Sequence, residues 1–300
     1  MISYVYKVFT IIFMAKILVI FGFLSLFLTK LEASVILDKI VEYVVSGIEP
    51  DQRLVSTALQ KLPDEPKRTI GYIALVDESI FYANGVKLGS MSRWNHVALI
   101  LCEPKDIIPM DAGKEELEKI DKTNWLCFES HPFLGDLHLV PWSTFIANEH
   151  DNHLLKADIS LRPFFYEQDS KMPEPEQLAP IIGKYLGMPY KKSGKELFYS
   201  IIRANTTNDK SSIFCAELSA LLLQDLGILP DAPNDSGYML ANNFIPADFS
   251  EMRPNALHLN KVTLGKEIPV ITNNRGIFRK TYNDFLYWLG LIRGWVLGGR

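Results

Sequence analysis

The sequence predicts an α+β fold in which one antiparallel sheet packs against helices. Segments rich in β-branched and aromatic residues dominate the first half of the chain, and helical apolar patterns dominate the second half. Strands that precede helices in this way are typical of α+β proteins. With 300 residues, 48% of them hydrophobic, the chain is long enough to bury a full core.

Five segments have the composition of strands. Residues 70–76 and 94–101 come first, with the turn signal Asn84-Gly85 between them. The later strands are predicted at 125–129, 137–140 and 157–163. Two polar segments, 111–122 and 148–153, are predicted as solvated loops.

Helices are predicted in three places after the fourth strand. One begins at 141–144, and one spans 175–186 and ends at Gly187. The clearest spans 213–226, where Ser212 is the expected N-cap. This last helix carries a cysteine, Cys215, in its first turn.

The amino-terminal segment predicts export or membrane anchoring. Residues 8–28 are almost wholly apolar, but Lys16 in their middle would cost a spanning helix about 3 kcal/mol. Starting instead at Met14, the chain reads as a short positive region, a twelve-residue apolar region and a tail ending at Ala33, as in a secretory signal. We therefore expect an exported or membrane-anchored, extracytoplasmic protein.

The predicted organisation has four parts: a signal peptide or anchor at 1–33, a helical extension at 34–66, a main domain at 67–255 and a carboxyl-terminal extension at 256–300. The extension ends in an apolar aromatic tail that contains Trp288 and Trp295. Packing against the main domain is its expected role, with a membrane interface as the alternative.

Charge and cysteine content exclude two classes of protein. Thirty-five acidic and thirty-one basic side chains give a net charge of -4, without a long basic cluster, which argues against a nucleic-acid partner. The three cysteines, Cys102, Cys127 and Cys215, are too few for a disulfide framework. At least one free thiol therefore needs another explanation.

Three residues together predict cysteine chemistry. The N-terminal end of a helix favours a thiolate, so Cys215 is the candidate nucleophile. His96 in the second strand is its candidate base, and Glu129 in the third strand could fix the orientation of the imidazole. If the strands are antiparallel neighbours with His96 opposite Glu129, both side chains share one face. That register places Cys127 beside Ala98 and predicts no disulfide between Cys102 and Cys127.

The order of these motifs resembles the circularly permuted papain-like hydrolases of the NlpC superfamily, in particular the YiiX-like branch. The resemblance covers about residues 70–250. Asn95 and Lys191 depart from the serine and aspartate that are common there. The matching segments are Trp94-Asn95-His96-Val97-Ala98-Leu99-Ile100, Cys127-Phe128-Glu129-Ser130, Leu186-Gly187-Met188-Pro189-Tyr190, Phe214-Cys215-Ala216-Glu217-Leu218 and Ile245-Pro246-Ala247-Asp248-Phe249.

The resemblance implies a permuted papain-like fold with Cys215 as nucleophile, His96 as base and Glu129 as orienting residue. It also implies a thiol hydrolase that acts on amide, peptide or ester bonds without a cofactor or metal. Its expected partner is a peptide, amide or lipid substrate. The apolar termini favour a substrate near a membrane.

Three alternatives remain open. His131, on the same face as Glu129, could orient His96 instead, as in the lecithin:retinol acyltransferase relatives, which would favour an acyltransferase or phospholipase. A zinc site could use His96, Glu129, His131 and His138. The last alternative is a non-catalytic module that binds lipid or peptide in the cleft.

Overall fold

The structure of the chain is a computed structural model that describes residues 67–78, 86–87, 90, 92–151, 156–167, 171–206, 210–230, 239–253 and 256–273. The expected leader (1–33), the helical extension (34–66) and the aromatic tail lie outside the described residues. Among the described residues, no helix has the length and apolar character needed to cross a membrane.

A seven-stranded sheet forms the centre of the molecule, and all its strand pairs are antiparallel. The order across the sheet is β4-β3-β2-β1-β5-β6, and β7 also pairs with β5. The strands are β1 (Thr69–Asp77), β2 (His96–Cys102), β3 (Leu126–Ser130), β4 (Leu137–Pro141), β5 (Asp158–Tyr166), β6 (Val262–Leu264) and β7 (Ile268–Ile271). The five predicted strands are confirmed, and the sheet continues beyond residue 255.

Five α-helices accompany the sheet in the described part of the chain. They are α1 (Lys114–Glu118), α2 (Trp142–Ile146), α3 (Pro175–Tyr185), α4 (Gly194–Ile202) and α5 (Cys215–Asp225). The expectation of a loop across 111–122 is wrong, because α1 forms there and buries Leu117. The structure confirms the α+β class, with an antiparallel sheet packed against a helix that has a cysteine at its start.

Both faces of the sheet are covered. Alternate residues of β2, among them Val97 and Leu99, join the core that contains α3 and α5. The intervening residues, Ala98 and Ile100, join a second core with Phe145 of α2. Burial on both faces explains why the central strands are continuous apolar runs rather than alternating ones.

The register between β2 and β3 differs from the predicted one by two residues. Leu99 lies opposite Phe128, and Ile100, not Ala98, lies opposite Cys127. His96 is therefore not directly opposite Glu129. Because a shift of two residues preserves the side-chain alternation, the two still share a face as diagonal neighbours. The three cysteines are free thiols, as the prediction for Cys102 and Cys127 requires.

A bulge interrupts β1 at Gly71. The pairing with β2 runs from Ile70 opposite Leu101 to Tyr72 opposite Ile100, which leaves Gly71 without a partner in the register. A Cβ atom at this position would overlap the Cys102 sulfur. The missing side chain of Gly71 therefore makes room for the end of β2.

Candidate active site

Cys215 is the first residue of α5, and Phe214 is its N-cap residue. The expectation that Ser212 caps a helix starting at 213 is wrong. Ile213 is instead held in extended conformation by a parallel bridge to Tyr190, in which the Ile213 N–H donates to Pro189 O over 3.1 Å. The helix can begin only after this bridge, so Cys215 lies at its very start.

The start of α5 is fixed by charged side chains. Glu217 accepts a hydrogen bond from the Phe214 N–H over 3.3 Å. Lys191, which is 1% exposed, has its ammonium 3.1 Å from Glu217 and 2.9 Å from Glu196. Burial raises the pKa of Glu217 to about 7, although Lys191 acts in the opposite direction. This network ties the helix start to the strand-like segment before it.

His96 connects Cys215 to Glu129. Its Nε2 lies 2.9 Å from Glu129 Oε2, and the Cys215 side chain lies close enough to raise the pKa of His96 through charge and hydrogen bonding. With Nε2 facing Glu129, Nδ1 is the ring nitrogen left for the thiol. Burial opposes protonation of His96, but the charge of Cys215 and the hydrogen bonds to Cys215 and Glu129 outweigh it, so the pKa of His96 is raised well above its ordinary value.

Glu129 is fully buried and lies between two imidazoles. His138 Nε2 lies 3.5 Å from its Oε1, on the side away from His96. Burial favours the neutral acid, yet the nearby His138 and His96 imidazoles, through their contacts and charges, hold the pKa of Glu129 well below its usual range. A carboxylate that stays charged can orient the His96 ring and stabilise its protonated form.

His131 does not contact His96 through a hydrogen bond. The two rings meet edge to face with centroids 5.2 Å apart. His131 Nε2 lies 3.1 Å from Glu78 Oε1, and the Phe133 N–H donates to His131 Nδ1 over 3.2 Å. Of these two candidates, Glu129 rather than His131 lies within hydrogen-bond distance of His96.

Two buried carboxylates near these residues have no counterpart among the sequence-derived candidates. Glu78 follows β1, is 2% exposed and accepts a hydrogen bond from the Asn95 side chain over 2.6 Å. Glu149 is 0% exposed and lies in a single π-helical turn, Ala147–Asp151, after α2. The prediction that 148–153 is a solvated loop is therefore wrong at Glu149.

Of these two carboxylates, only Glu78 could have been placed near the site from the sequence. Glu78 ends an apolar strand that neighbours the strand of His96, so its position next to the site follows from pairing the two strands. Glu149 stands in a polar stretch and reaches the site only through tertiary packing.

Two buried groups have the ligand types of a metal site, Glu78 with His131 and Glu149, and His96 with Glu129 and Glu149. The hydrogen bonds do not favour either one. Because Phe133 N–H donates to His131 Nδ1, that nitrogen is unprotonated, and Nε2 carries the hydrogen that a ligand nitrogen must lack. In the other group, His96 has both nitrogens engaged by Glu129 and Cys215.

The other two cysteines are poor nucleophiles. Cys102 and Cys127 are 0% exposed, whereas Cys215 is 7% exposed. Burial raises the pKa of both the Cys102 and Cys127 thiols, and nearby carboxylates raise it further. Neither thiol has the contact to an imidazole that Cys215 has.

A small cleft opens beside Cys215. Its described lining has no charged side chain and is mainly apolar, with contributions from α4, α5 and the segment before Pro246. Asn95 and Tyr190 are among its few polar residues, and the Asn95 amide is already engaged by Glu78.

Comparisons with known proteins find distant similarity among solved structures. No family model matches the chain, and no curated protein matches it. Among solved structures, the crystal structure of metalloprotein YiiX from Escherichia coli O157:H7 aligns with a TM-score of 0.34 and 13% identity, over 68% of this chain and 97% of that chain. Its description as a metalloprotein belongs to that protein, and the chain's similarity to YiiX is limited to this alignment.

Proposed function

We propose that the chain is a circularly permuted papain-like thiol hydrolase that cleaves amide, peptide or ester bonds through a covalent acyl-enzyme. Cys215 is the nucleophile, His96 is the general acid and base, and Glu129 orients His96. The observation that carries this proposal is the position of His96, which contacts Glu129 through Nε2 and Cys215 on its other side.

The proposed reaction uses these groups in two stages. The Cys215 sulfur attacks the substrate carbonyl carbon while His96 holds the thiol proton, and the negative oxygen faces the free N–H groups at the start of α5. His96 then gives its proton to the leaving amine or alcohol as the thioester forms. A water molecule, deprotonated by His96, attacks the thioester, and the acid leaves with Cys215 restored.

The lining of the cleft supports an uncharged acyl portion. Side chains such as Leu197, Phe244 and Ile245 can remove apolar substrate surface from water. A charged acyl side chain would find no counter-ion among the described lining residues. This supports acyl groups with an apolar chain, whether amino-acid side chain or lipid.

The structure offers no specific support for the acyltransferase alternative. It rested on His131 as the orienting residue, and His131 is engaged by Glu78 instead. The binding-module alternative does not explain why a cysteine, an imidazole and a carboxylate are placed in contact.

Selective labelling of Cys215 tests the proposal. Limiting iodoacetamide at neutral pH should modify Cys215 before Cys102 or Cys127, because those two thiols are fully buried with raised pKa values. Peptide mass spectrometry reports the modified residue. Incubation with an activated apolar ester should leave an acyl group on Cys215 that hydrolyses with time.

Cys215→Ala is the control and should form no acyl adduct while keeping the wild-type circular dichroism spectrum. Equal labelling of the three thiols, or full ester hydrolysis by Cys215→Ala, would contradict the proposal.

A further inference from the structure

Glu149 is a buried titratable group that the proposed mechanism does not use. It is fully buried, and its carboxylate lies near His96 and Glu129 of the candidate site. The titratable groups that face it come from β2, β3 and α5 and from the segments after β1 and β3, and they are Glu78, His96, Cys127, Glu129, Cys215 and His131.

The oxygens of Glu149 lack hydrogen-bond partners. Neither oxygen accepts a hydrogen bond from the described residues. His131 Nε2 lies 3.3 Å from Oε1, but its single hydrogen already bonds to Glu78 Oε1. A charged carboxylate in this position would therefore be buried without a donor, which is strongly unfavourable.

Two neighbouring negative charges make the charged form of Glu149 still less favourable. A carboxylate oxygen of Glu149 lies within 4.8 Å of a carboxylate oxygen of Glu78 and a ring nitrogen of His131. In a second group, an oxygen of Glu149 lies within the same distance of a His96 nitrogen and a Glu129 oxygen. Glu78 and Glu129 have their pKa values lowered by their histidine partners and so stay charged. The charge of His96 acts in the opposite direction, but His96 is already paired with Glu129, so a proton or a metal ion on Glu149 would be needed to neutralise it.

The geometry points to the proton. The tautomer fixed by the Phe133 N–H leaves no lone pair on His131 Nε2, so a metal ion in this group would lose its nitrogen ligand. We propose that Glu149 is a neutral carboxylic acid in the folded protein and holds a proton next to the Cys215–His96 pair. Its hydrogen faces a site with two charged carboxylates, which are its possible acceptors.

The neutral form has a consequence for the site. Burial, followed by the charge of Glu78, raises the pKa of Glu149 well above its ordinary value. A protonated Glu149 keeps a third negative charge away from the proposed nucleophile, the Cys215 sulfur. Only this consequence rests on the proposed function, because the protonation of Glu149 is a property of the fold.

The test measures how the unfolding equilibrium depends on pH. Glu149 binds a proton when folded and releases it when unfolded, so its contribution to stability is present at low pH and is lost as pH rises towards the folded pKa. From about pH 5 up to the folded pKa of Glu149, this one proton makes the unfolding constant rise about tenfold per pH unit. Glu149→Gln, which cannot ionise, should remove that part of the slope in full-length protein.

Two further measurements make the result unambiguous. Glu115→Gln, at an exposed position, is the matched control and should keep the wild-type slope. If Glu149→Gln does not fold, the infrared spectrum of wild type at about pH 8 should still show the carbonyl band of a protonated carboxyl group, because ordinary carboxyl groups are ionised there.

Two results would overturn the inference. One is an unchanged slope in Glu149→Gln, or, where that variant does not fold, no carboxylic acid band in the wild type. The other is one equivalent of bound metal in purified wild type, measured by elemental analysis, that Glu149→Gln lacks. Neither result depends on enzymatic activity, so the proposed function can fail while this inference stands, and the reverse.

Discussion

His96 shows how a single side chain can lie between two others in a candidate site. It is the first residue of β2, and its Nε2 is held by Glu129 while Cys215 lies on its other side. The position of His96 between a carboxylate and a cysteine could be predicted. A histidine inside an apolar strand, a carboxylate on another strand and a cysteine at a helix start are visible in the sequence. The exact pairing could not, because a shift of two residues keeps the same apolar pattern on each face.

Substitutions at His96 and Glu129 should separate the base from the residue that orients it. His96→Ala should lower kcat/KM by about a thousandfold, since it removes the proton carrier. Glu129→Gln should lower it by less, about a hundredfold, because it keeps the imidazole and disturbs only its orientation and charge stabilisation. Steady-state kinetics on an activated apolar ester measure both effects.

His150→Gln is the control for these two variants, because His150 lies on the same turn as Glu149 without a contact to His96. It should keep wild-type kinetics. A Glu129→Gln variant as slow as His96→Ala would show that Glu129 does more than orient the ring.

At the scale of single elements, the close approach of β1 to the end of β2 depends on one small residue. Gly71 lies at the bulge of β1 and faces the sulfur of Cys102 in β2. The bulge was not predicted, since a glycine within an apolar strand indicates a bulge or a close approach of the backbone without saying which neighbour requires it.

A double-mutant cycle tests this contact. Gly71→Ala should destabilise the protein because its Cβ overlaps the Cys102 sulfur. In the Cys102→Ala background the overlap is gone, so the same change should cost less, with a coupling of about 1 to 3 kcal/mol. Urea unfolding of the four proteins measures it.

Additive effects of Gly71→Ala and Cys102→Ala would mean that the strain comes from another neighbour. Ile107 is the alternative, because its Cγ1 would lie 3.3 Å from the added Cβ.

For the whole molecule, the sequence predicted the α+β class, the first five strands and the helix that carries Cys215. It missed β6 and β7, which are short and add to the sheet only by pairing with β5. It also missed Glu149, whose burial depends on the turn after α2 and on no local pattern. Local periodicity predicts elements well, while contacts between elements distant in sequence leave little trace in it.

Export or anchoring stays a prediction for the whole chain. Protein recovered from its native host should carry either an intact membrane-bound leader or a new amino terminus near Ser34, because Ala33 ends the expected signal. Amino-terminal sequencing of the membrane and extracytoplasmic fractions decides it. Finding only soluble cytoplasmic protein with residues 1–33 still attached would contradict the prediction.

The position of β1 in the middle of the sheet has a consequence for synthesis. One neighbour, β2, follows soon after β1, but the other edge pairs with β5, where Asp77 meets Asp158. Helix α5, which packs against one face of the sheet, is synthesised later still. A growing chain therefore cannot complete its centre until most of the described residues have left the ribosome. We expect nascent chains to remain extended for long enough to be threaded through a secretion channel before they fold.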